Sequence, residues 1–118
     1  MDRDGELRLV DGGYSEYEGS EGRLDFYYDG GWNTICDRGW DSHNAIVACK
    51  QLGYTHGQAV VHAHYGQGTG GIVMSWVRCN GTEAQLIDCP FFHGWFHSSC
   101  RHSEDAGVVC SSKLFLQL

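Results

Sequence analysis

Proline is almost absent, with one residue, Pro90, in a chain of 118. A chain so poor in proline holds no polyproline segment and no stiff spacer. Charge is sparse as well, at 19% of residues, and it leans to one sign: 15 acids against 8 bases, a net charge of −7. Nucleic acid is therefore a poor partner, because the phosphate backbone demands a basic footprint. No apolar run approaches the roughly 18 residues that cross a bilayer as a helix. Met1 to Gly5 carry no apolar stretch of the signal-peptide kind, so the chain reads as a domain cut from something larger. No two cysteines stand as C-x-x-C, the close pair that zinc ribbons and thioredoxin-type sites need.

What is present is a globular balance: 42% hydrophobic residues and 17 glycines, which suit one compact domain with many tight turns. Six cysteines, an even number in a short chain, imply a disulfide framework made in an oxidising compartment. Spacing leaves their pairing open, although Cys79 and Cys89, ten residues apart, suit a local bridge. Charge is unevenly spread. Residues 1–41 hold eleven acids and four bases, whereas residues 42–118 hold four of each and all seven histidines. A basic patch in the second part would strengthen as those histidines protonate near about pH 6–6.5.

Hydrophobic periodicity predicts the elements. Leu7 to Val10 is a short strand, followed by a turn at Asp11-Gly12-Gly13. Glu21 to Tyr28 alternates, with Leu24, Phe26 and Tyr28 on one side and Arg23, Asp25 and Tyr27 on the other; Asp29-Gly30-Gly31 turns, and Trp32 to Cys36 returns as a hairpin. Asp41-Ser42 caps a helix that Gly53 ends, with Ala45, Ile46, Cys49 and Leu52 at helical spacing. Cys49 on that face should point inward to a disulfide partner. Thr82-Glu83-Ala84-Gln85 has capping-box form and predicts a second short helix. Ile72 to Val77 and Ala106 to Cys110 read as further strands. The fold class is α+β: an antiparallel sheet, one main helix and long turn-rich loops.

Several of these segments are recognisable together. Leu7-Arg8-Leu9-Val10, Glu21-Gly22-Arg23-Leu24-Asp25 and Trp32-Asn33-Thr34-Ile35-Cys36-Asp37 come first. Trp40-Asp41, Val47 to Tyr54, Cys79-Asn80-Gly81-Thr82-Glu83 and the closing His102 to Cys110 follow in order. This series resembles the scavenger receptor cysteine-rich (SRCR) family, in its six-cysteine group A. The resemblance implies a curved sheet cradling the helix over residues 7–110, with 1–6 as a leader and 111–118 as a tail, linker or added edge strand. It also implies the pairing Cys36–Cys100, Cys49–Cys110 and Cys79–Cys89, and an extracellular module that binds other molecules without catalysis.

Many members of that family bind calcium and use it to hold anionic ligands. The first family site would fall on Asp37, Arg38 and Glu104, so Arg38 stands where the second acid is expected. Its guanidinium can take the cation's place against Glu104 or Asp37. The second site would fall on Ser75, Trp76 and Ser99, where the acids are gone. Calcium is left with Asp37 and Glu104 as candidate ligands, and a plain salt bridge is the simpler reading.

The second part of the chain holds the candidate recognition surface. Trp76, Phe91, Phe92, Trp95 and Phe96 gather near the closely paired cysteines, either as a patch for a partner or as packing between loops. Trp95 matches a family tryptophan and belongs in the core. Arg78 and Arg101 flank the region and suit sulfate, phosphate or carboxylate groups. Asn80-Gly81-Thr82 is an N-glycosylation sequon, in keeping with secretion.

Other patterns weigh little. His62-Ala63-His64 would share a strand face but lacks a third metal ligand, and reads as a solvated loop. Gly66 to Gly71 fits G-x-G-x-x-G, yet a strand follows instead of a helix, so its glycines serve tight turns. His102, Ser103 and Asp105 offer triad atoms, but neighbours on a strand diverge, and no nucleophile elbow or metalloprotease motif appears. The sequence thus points to an extracellular module for polyanionic or microbial surface ligands, through Arg78 and Arg101 and with calcium as a possible aid. The alternative is a protein–protein or adhesion module using Trp76, Phe91, Phe92 and Phe96.

Overall fold

A computed structural model describes residues 3–15, 19–93 and 99–112. Among them, seven strands form one curled sheet, with a single α-helix against it. The strands are β1 (Leu7–Ser15), β2 (Gly19–Tyr28), β3 (Gly31–Ile35), β4 (His56–Val60), β5 (Ile72–Ser75), β6 (Phe92–His93) and β7 (Gly107–Ser111); α1 is Ser42–Gln51.

β2 is the spine. One edge pairs antiparallel with β1; the other pairs with β7 over Gly19–Arg23 and with β3 over Asp25–Tyr28. A strand whose one edge changes partner midway must coil, and the sheet curls into a half-barrel. β3 and β5 run parallel, so the sheet is mixed and not wholly antiparallel as the patterning predicts. Alternation in sequence reports faces, not strand direction, and the long excursion through α1 and β4 brings β5 back in the same sense as β3.

Turn chemistry explains the hairpin. Asp29 and Gly30 have φ of 51° and 85°, which is the type I′ pattern that matches strand twist, and Tyr28 faces Gly31 across it. Asp11-Gly12-Gly13 is not a turn. It is a bulge inside a longer β1, where Asp11 (φ 69°) and Gly13 (φ 87°) take left-handed backbone and pairing resumes at Gly13 opposite Glu21. Residues 3–6 are held against the sheet: Gly5 N–H donates to the Tyr27 carbonyl at 2.9 Å, and Tyr27 N–H donates to the Glu6 carbonyl at 2.9 Å. At the other end β7 runs one residue past Cys110, so Ser111 belongs to the sheet, while residues 113–118 lie outside the described ones.

α1 is capped as the sequence predicts. The Asp41 side chain accepts from Asn44 N–H, and Gly53 at φ 100° ends the helix, donating to Lys50 O at 3.0 Å. Its inward face is Asn44, Ala45, Val47, Ala48 and Cys49, displaced from the expected stripe because Ile46 and Leu52 are only partly covered. The helix lies close on β4, since a Cβ at Gly57 would stand 2.6 Å from the Ala45 carbonyl oxygen. Leu24, Phe26, Ile35, Met74, Val77, Leu86 and Val108 fill the core between helix and sheet.

Thr82 to Gln85 is not a helix. Glu83 turns its carboxylate back onto the N–H groups of Asn80 and Gly81, as a capping box would, but only one 3-10 turn follows, at Leu86–Asp88. The Cys79–Cys89 bridge closes this loop too tightly for more. Disulfides Cys36–Cys100 and Cys49–Cys110 close much longer loops, with sequence separations of 64 and 61. Chain-entropy arithmetic gives each of these about 4 kcal/mol, and the short bridge less.

Candidate functional site

The loop after β3 brings Asp37 and Arg38 beneath the 3-10 turn His102–Glu104. Backbone pairing fixes the approach: Asp37 N–H donates to the Glu104 carbonyl at 2.8 Å. Arg38 then meets Glu104 in a two-pronged pair, Nε to Oε2 at 3.0 Å and Nη2 to Oε1 at 3.3 Å. Its remaining donors reach Ser99, Nη1 to Oγ at 2.6 Å and Nη2 to the carbonyl at 3.2 Å. One guanidinium thus binds the two sides of the Cys36–Cys100 bridge together. Asp37 does not share in this; its Oδ2 accepts from the His62 backbone N–H at 2.7 Å.

These residues do not fit a calcium ion. Both Glu104 oxygens already face a cation that is part of the chain, and one Asp37 oxygen is spent on backbone. A hard cation needs six or so converging oxygens. Arg38 itself supplies positive charge at that point.

The same contact sets how Glu104 titrates. The Arg38 hydrogen bonds hold its carboxyl below the usual glutamate range, against a smaller opposing effect of burial. A group lowered in the folded state stabilises the fold above the ordinary glutamate pKa of about 4.3, and that contribution is lost as pH falls through the folded group's own titration. Arg38→Ala is therefore expected to move the Glu104 carboxyl signal in an NMR pH titration upward, towards the ordinary value. An unmoved signal would show that the pair is not what holds the proton off.

Just beyond lies the aromatic surface. β5 stops at Ser75, two residues short of the predicted strand, because Trp76 takes left-handed backbone at φ 53°. That conformation costs a bulky residue on the order of 1–2 kcal/mol. It is held by Trp76 N–H donating to the Arg38 carbonyl at 3.1 Å and by Gly39, where a Cβ would stand 2.9 Å from Trp76 Cε3. Trp76 nevertheless remains 45% exposed. Phe92, opposite Ser75 on β6, is 44% exposed, and the Arg78 guanidinium lies 6.0 Å from its ring.

Phe91 is different: it packs inward, half-buried, beside His93. With Phe26, Tyr28, Val73, Met74 and Ile87 these two line an apolar hollow of about 20 Å³, room for no more than a water molecule. Trp95 and Phe96 lie outside the described residues.

The arginines divide sharply. Arg3 pairs with Glu6, Arg8 and Arg23 with Asp25, and Arg38 with Glu104. Arg78 and Arg101 are exposed and form no ion pair among the described residues. Lys50 Nζ donates to the Gly81 carbonyl at 3.2 Å. Among the described residues, Lys50, Arg78 and Arg101 are thus the cations without an ion pair.

The remaining histidine patterns lie on turns. His62, at φ 60°, and His64 lie in a turn and share no strand face; His64 packs edge-on to Tyr65. His102 and Ser103 lie on a 3-10 turn and not on a strand. His102 Nδ1 contacts the Asp105 carboxylate at 3.0 Å and Nε2 the Gly70 carbonyl at 3.1 Å, so neither ring nitrogen faces Ser103. Asp105, fully buried, accepts from Gly68 N–H at 2.8 Å. This pair clamps the glycine-rich loop onto the sheet, where a Cβ at Gly68 would meet Thr34 Cγ2 at 2.5 Å.

Sequence reading passed over Asn44 and the Arg23–Asp25 pair. Asn44 is signalled only by its place one turn into the helix, next to Ala45 on the inward face. Arg23 and Asp25, two apart on one strand, share a face and can pair, which is a signal alternation does contain.

A disulfide-stapled scaffold, with strained and exposed aromatics on one rim, is the build of a binding module. The chain belongs to the scavenger receptor cysteine-rich family, whose domain profile matches residues 12–111. The third SRCR domain of murine neurotrypsin is 43% identical, with a TM-score of 0.76, covering 92% of this chain and 97% of that one. The SRCR domain of mouse MARCO, solved in a dimeric form, is 46% identical, with a TM-score of 0.70 over 77% of this chain and 86% of that one. Galectin-3-binding protein of Pongo abelii is 46% identical over 111 residues, 93% of this chain but 18% of that protein. The chain spans between 10% and 19% of the length of the curated relatives it matches. Domains of this family are extracellular, non-enzymatic binding modules. No helix among the described residues is long and apolar enough to cross a membrane.

Proposed function

We propose that this domain binds a protein partner through Trp76, Phe92 and Arg78, without help from a metal ion. The observation that carries the reading is Trp76: a bulky residue kept in left-handed backbone with nearly half its surface in water. Tryptophan and arginine are the residues most often found to dominate interface energetics. Arg78, beside Phe92 and with no acid of its own among the described residues, adds charge complementarity. The partner surface would therefore present an apolar side chain flanked by a carboxylate.

Galectin-3 is the first probe to try, because relatives 41–46% identical to this chain bear the name galectin-3-binding protein. By surface plasmon resonance on the disulfide-bonded chain, Trp76→Ala is expected to weaken binding by at least about tenfold. Added chelator should change nothing, and raised salt should change little. Equal affinity of Trp76→Ala and the parent chain would overturn the reading, as would loss of binding in chelator. Polyanion capture is the second reading, and Arg78 and Arg101 are what favour it. Dextran sulfate binding that falls steeply with salt and vanishes in the Arg78→Ala/Arg101→Ala double variant would support that reading over the first.

A further inference from the structure

Three asparagines occur in the chain, and the fold treats them differently. Asn33 spends its amide nitrogen on two backbone carbonyls, Tyr28 at 3.2 Å and Gly31 at 3.0 Å, while Gly71 N–H donates to its oxygen at 3.1 Å. Asn44 is fully buried and spends its nitrogen on Gly39 and Val77. Both side chains are structural at both ends.

Asn80 is used at one end only. Its Oδ1 accepts from Thr82 N–H at 2.9 Å and from Thr82 Oγ1–H at 2.5 Å. Its Nδ2 makes no hydrogen bond among the described residues, and the residue is exposed. The surroundings hold this arrangement in place. Gly81, at φ 100°, makes the turn; Glu83 accepts from the N–H groups of Asn80 and Gly81 at 3.0 and 3.1 Å; the Cys79–Cys89 bridge closes both ends of the loop. Of the three, Asn80 alone has a hydroxyl residue two places on; Ile35 and Ile46 stand at that place for the others.

From this we infer that Asn80 is a site of N-linked glycosylation, the amide being presented nitrogen outward by the Thr82 hydroxyl. The co-substrate is a polyprenyl-pyrophosphate-linked oligosaccharide of the secretory pathway. Asn80 Nδ2 attacks the anomeric carbon of its first sugar. The N–C bond forms, the bond from that carbon to the pyrophosphate oxygen breaks, the lipid pyrophosphate leaves, and one amide proton passes to a base of the transferase. No oxidant or reductant enters. A large hydrophilic group is compatible with the folded domain at this position, because Nδ2 gives up no internal partner when it is substituted. The glycan would emerge beside the outer face of α1, where Lys50 holds the Gly81 carbonyl and His43 lies against Gly81.

The test is peptide mapping by mass spectrometry of the full chain secreted from eukaryotic cells. The peptide containing Asn80 is expected to carry hexosamine-based glycan, and enzymatic release is expected to leave aspartate at position 80. Asn80→Gln and Thr82→Ala should both remove the modification, while Thr82→Ser, which keeps the hydroxyl, should retain it. Unmodified Asn80 in secreted parent chain with all three disulfides formed would overturn the inference. So would glycan persisting at Asn80 in Thr82→Ala. The reading of the parent peptide decides the matter even if a variant fails to be secreted.

Discussion

Asp25→Ala is expected to lower the unfolding free energy by about 3–5 kcal/mol, seen as an earlier urea midpoint at unchanged slope with the disulfides intact. Asp25 is 3% exposed, and it accepts from Arg23 Nε at 2.9 Å and Nη2 at 3.3 Å and from Arg8 Nε and Nη2 at 3.1 Å each. Removing it leaves Arg23, which is 7% exposed, with one ion pair among the described residues, to Asp11 at 3.3 Å, and with Asp105 only as a more distant charge. Asp11 has 62% of its side chain in water and screens poorly. Arg8 suffers less, because its guanidinium also lies 4.3 Å from the Trp32 ring. Most of the loss is thus a buried charge left without a partner and not the worth of the pair itself. Two controls follow from that argument. Asp11→Asn, which removes the charge and still suits the left-handed backbone at φ 69°, should cost under about 1 kcal/mol. The double replacement Arg23→Met/Asp25→Leu should regain most of the stability, since it removes both charges and fills the same space. A double variant as unstable as Asp25→Ala would show that the loss is one of packing.

Asn44→Ala is expected to cost about 3 kcal/mol and to lower the melting temperature by about 10 °C. The side chain ties α1 to two other segments: its nitrogen donates to Gly39 O at 3.0 Å and Val77 O at 2.9 Å, and its oxygen accepts from Cys79 N–H at 2.8 Å. Alanine would leave the Val77 carbonyl and the Cys79 N–H buried and unpaired, each a desolvation penalty, and would release the more exposed Gly39 carbonyl. The position also bears on the proposed surface. Gly39 seats Trp76, and Val77 and Cys79 flank Arg78, so looser anchoring at Asn44 should spread to the aromatic rim. A shift of tryptophan emission to longer wavelength in Asn44→Ala below its melting point, absent when Trp76→Phe is added to both chains, would record that. A melting temperature within 2–3 °C of the parent chain would contradict the role given to Asn44.

The capped helix, the β2–β3 hairpin and the inward Cys49 were legible in sequence because each depends on neighbours in the chain. Asp41 needs only Asn44 to cap, and Asp29-Gly30 carries its own turn geometry. The misread segments are those where a distant group overrode the local signal. Thr82 to Gln85 has the letters of a helix start, but the Cys79–Cys89 bridge leaves no room to propagate one. Ile72 to Val77 reads as one strand, yet the Arg38 carbonyl and Gly39 draw Trp76 out of it. Arg38 itself was half legible: its charge among acids announced a pairing, whereas the choice of Glu104 over Asp37 came from the loop that turns Asp37 towards His62.

Composition, cysteine count and motif order determined by themselves that this chain is a secreted-type, disulfide-stapled SRCR domain with one helix and a sheet. Those properties are sums and short-range patterns, and a linear string contains them in full. Tertiary structure alone decided which arginines remain at the surface, which asparagine keeps its nitrogen free and which aromatic is held out in water. Several of those outcomes depend on groups far apart in the chain meeting within hydrogen-bond distance, as Arg38 and Glu104 do across 66 positions. Only the folded, curled sheet and its loops bring such groups together.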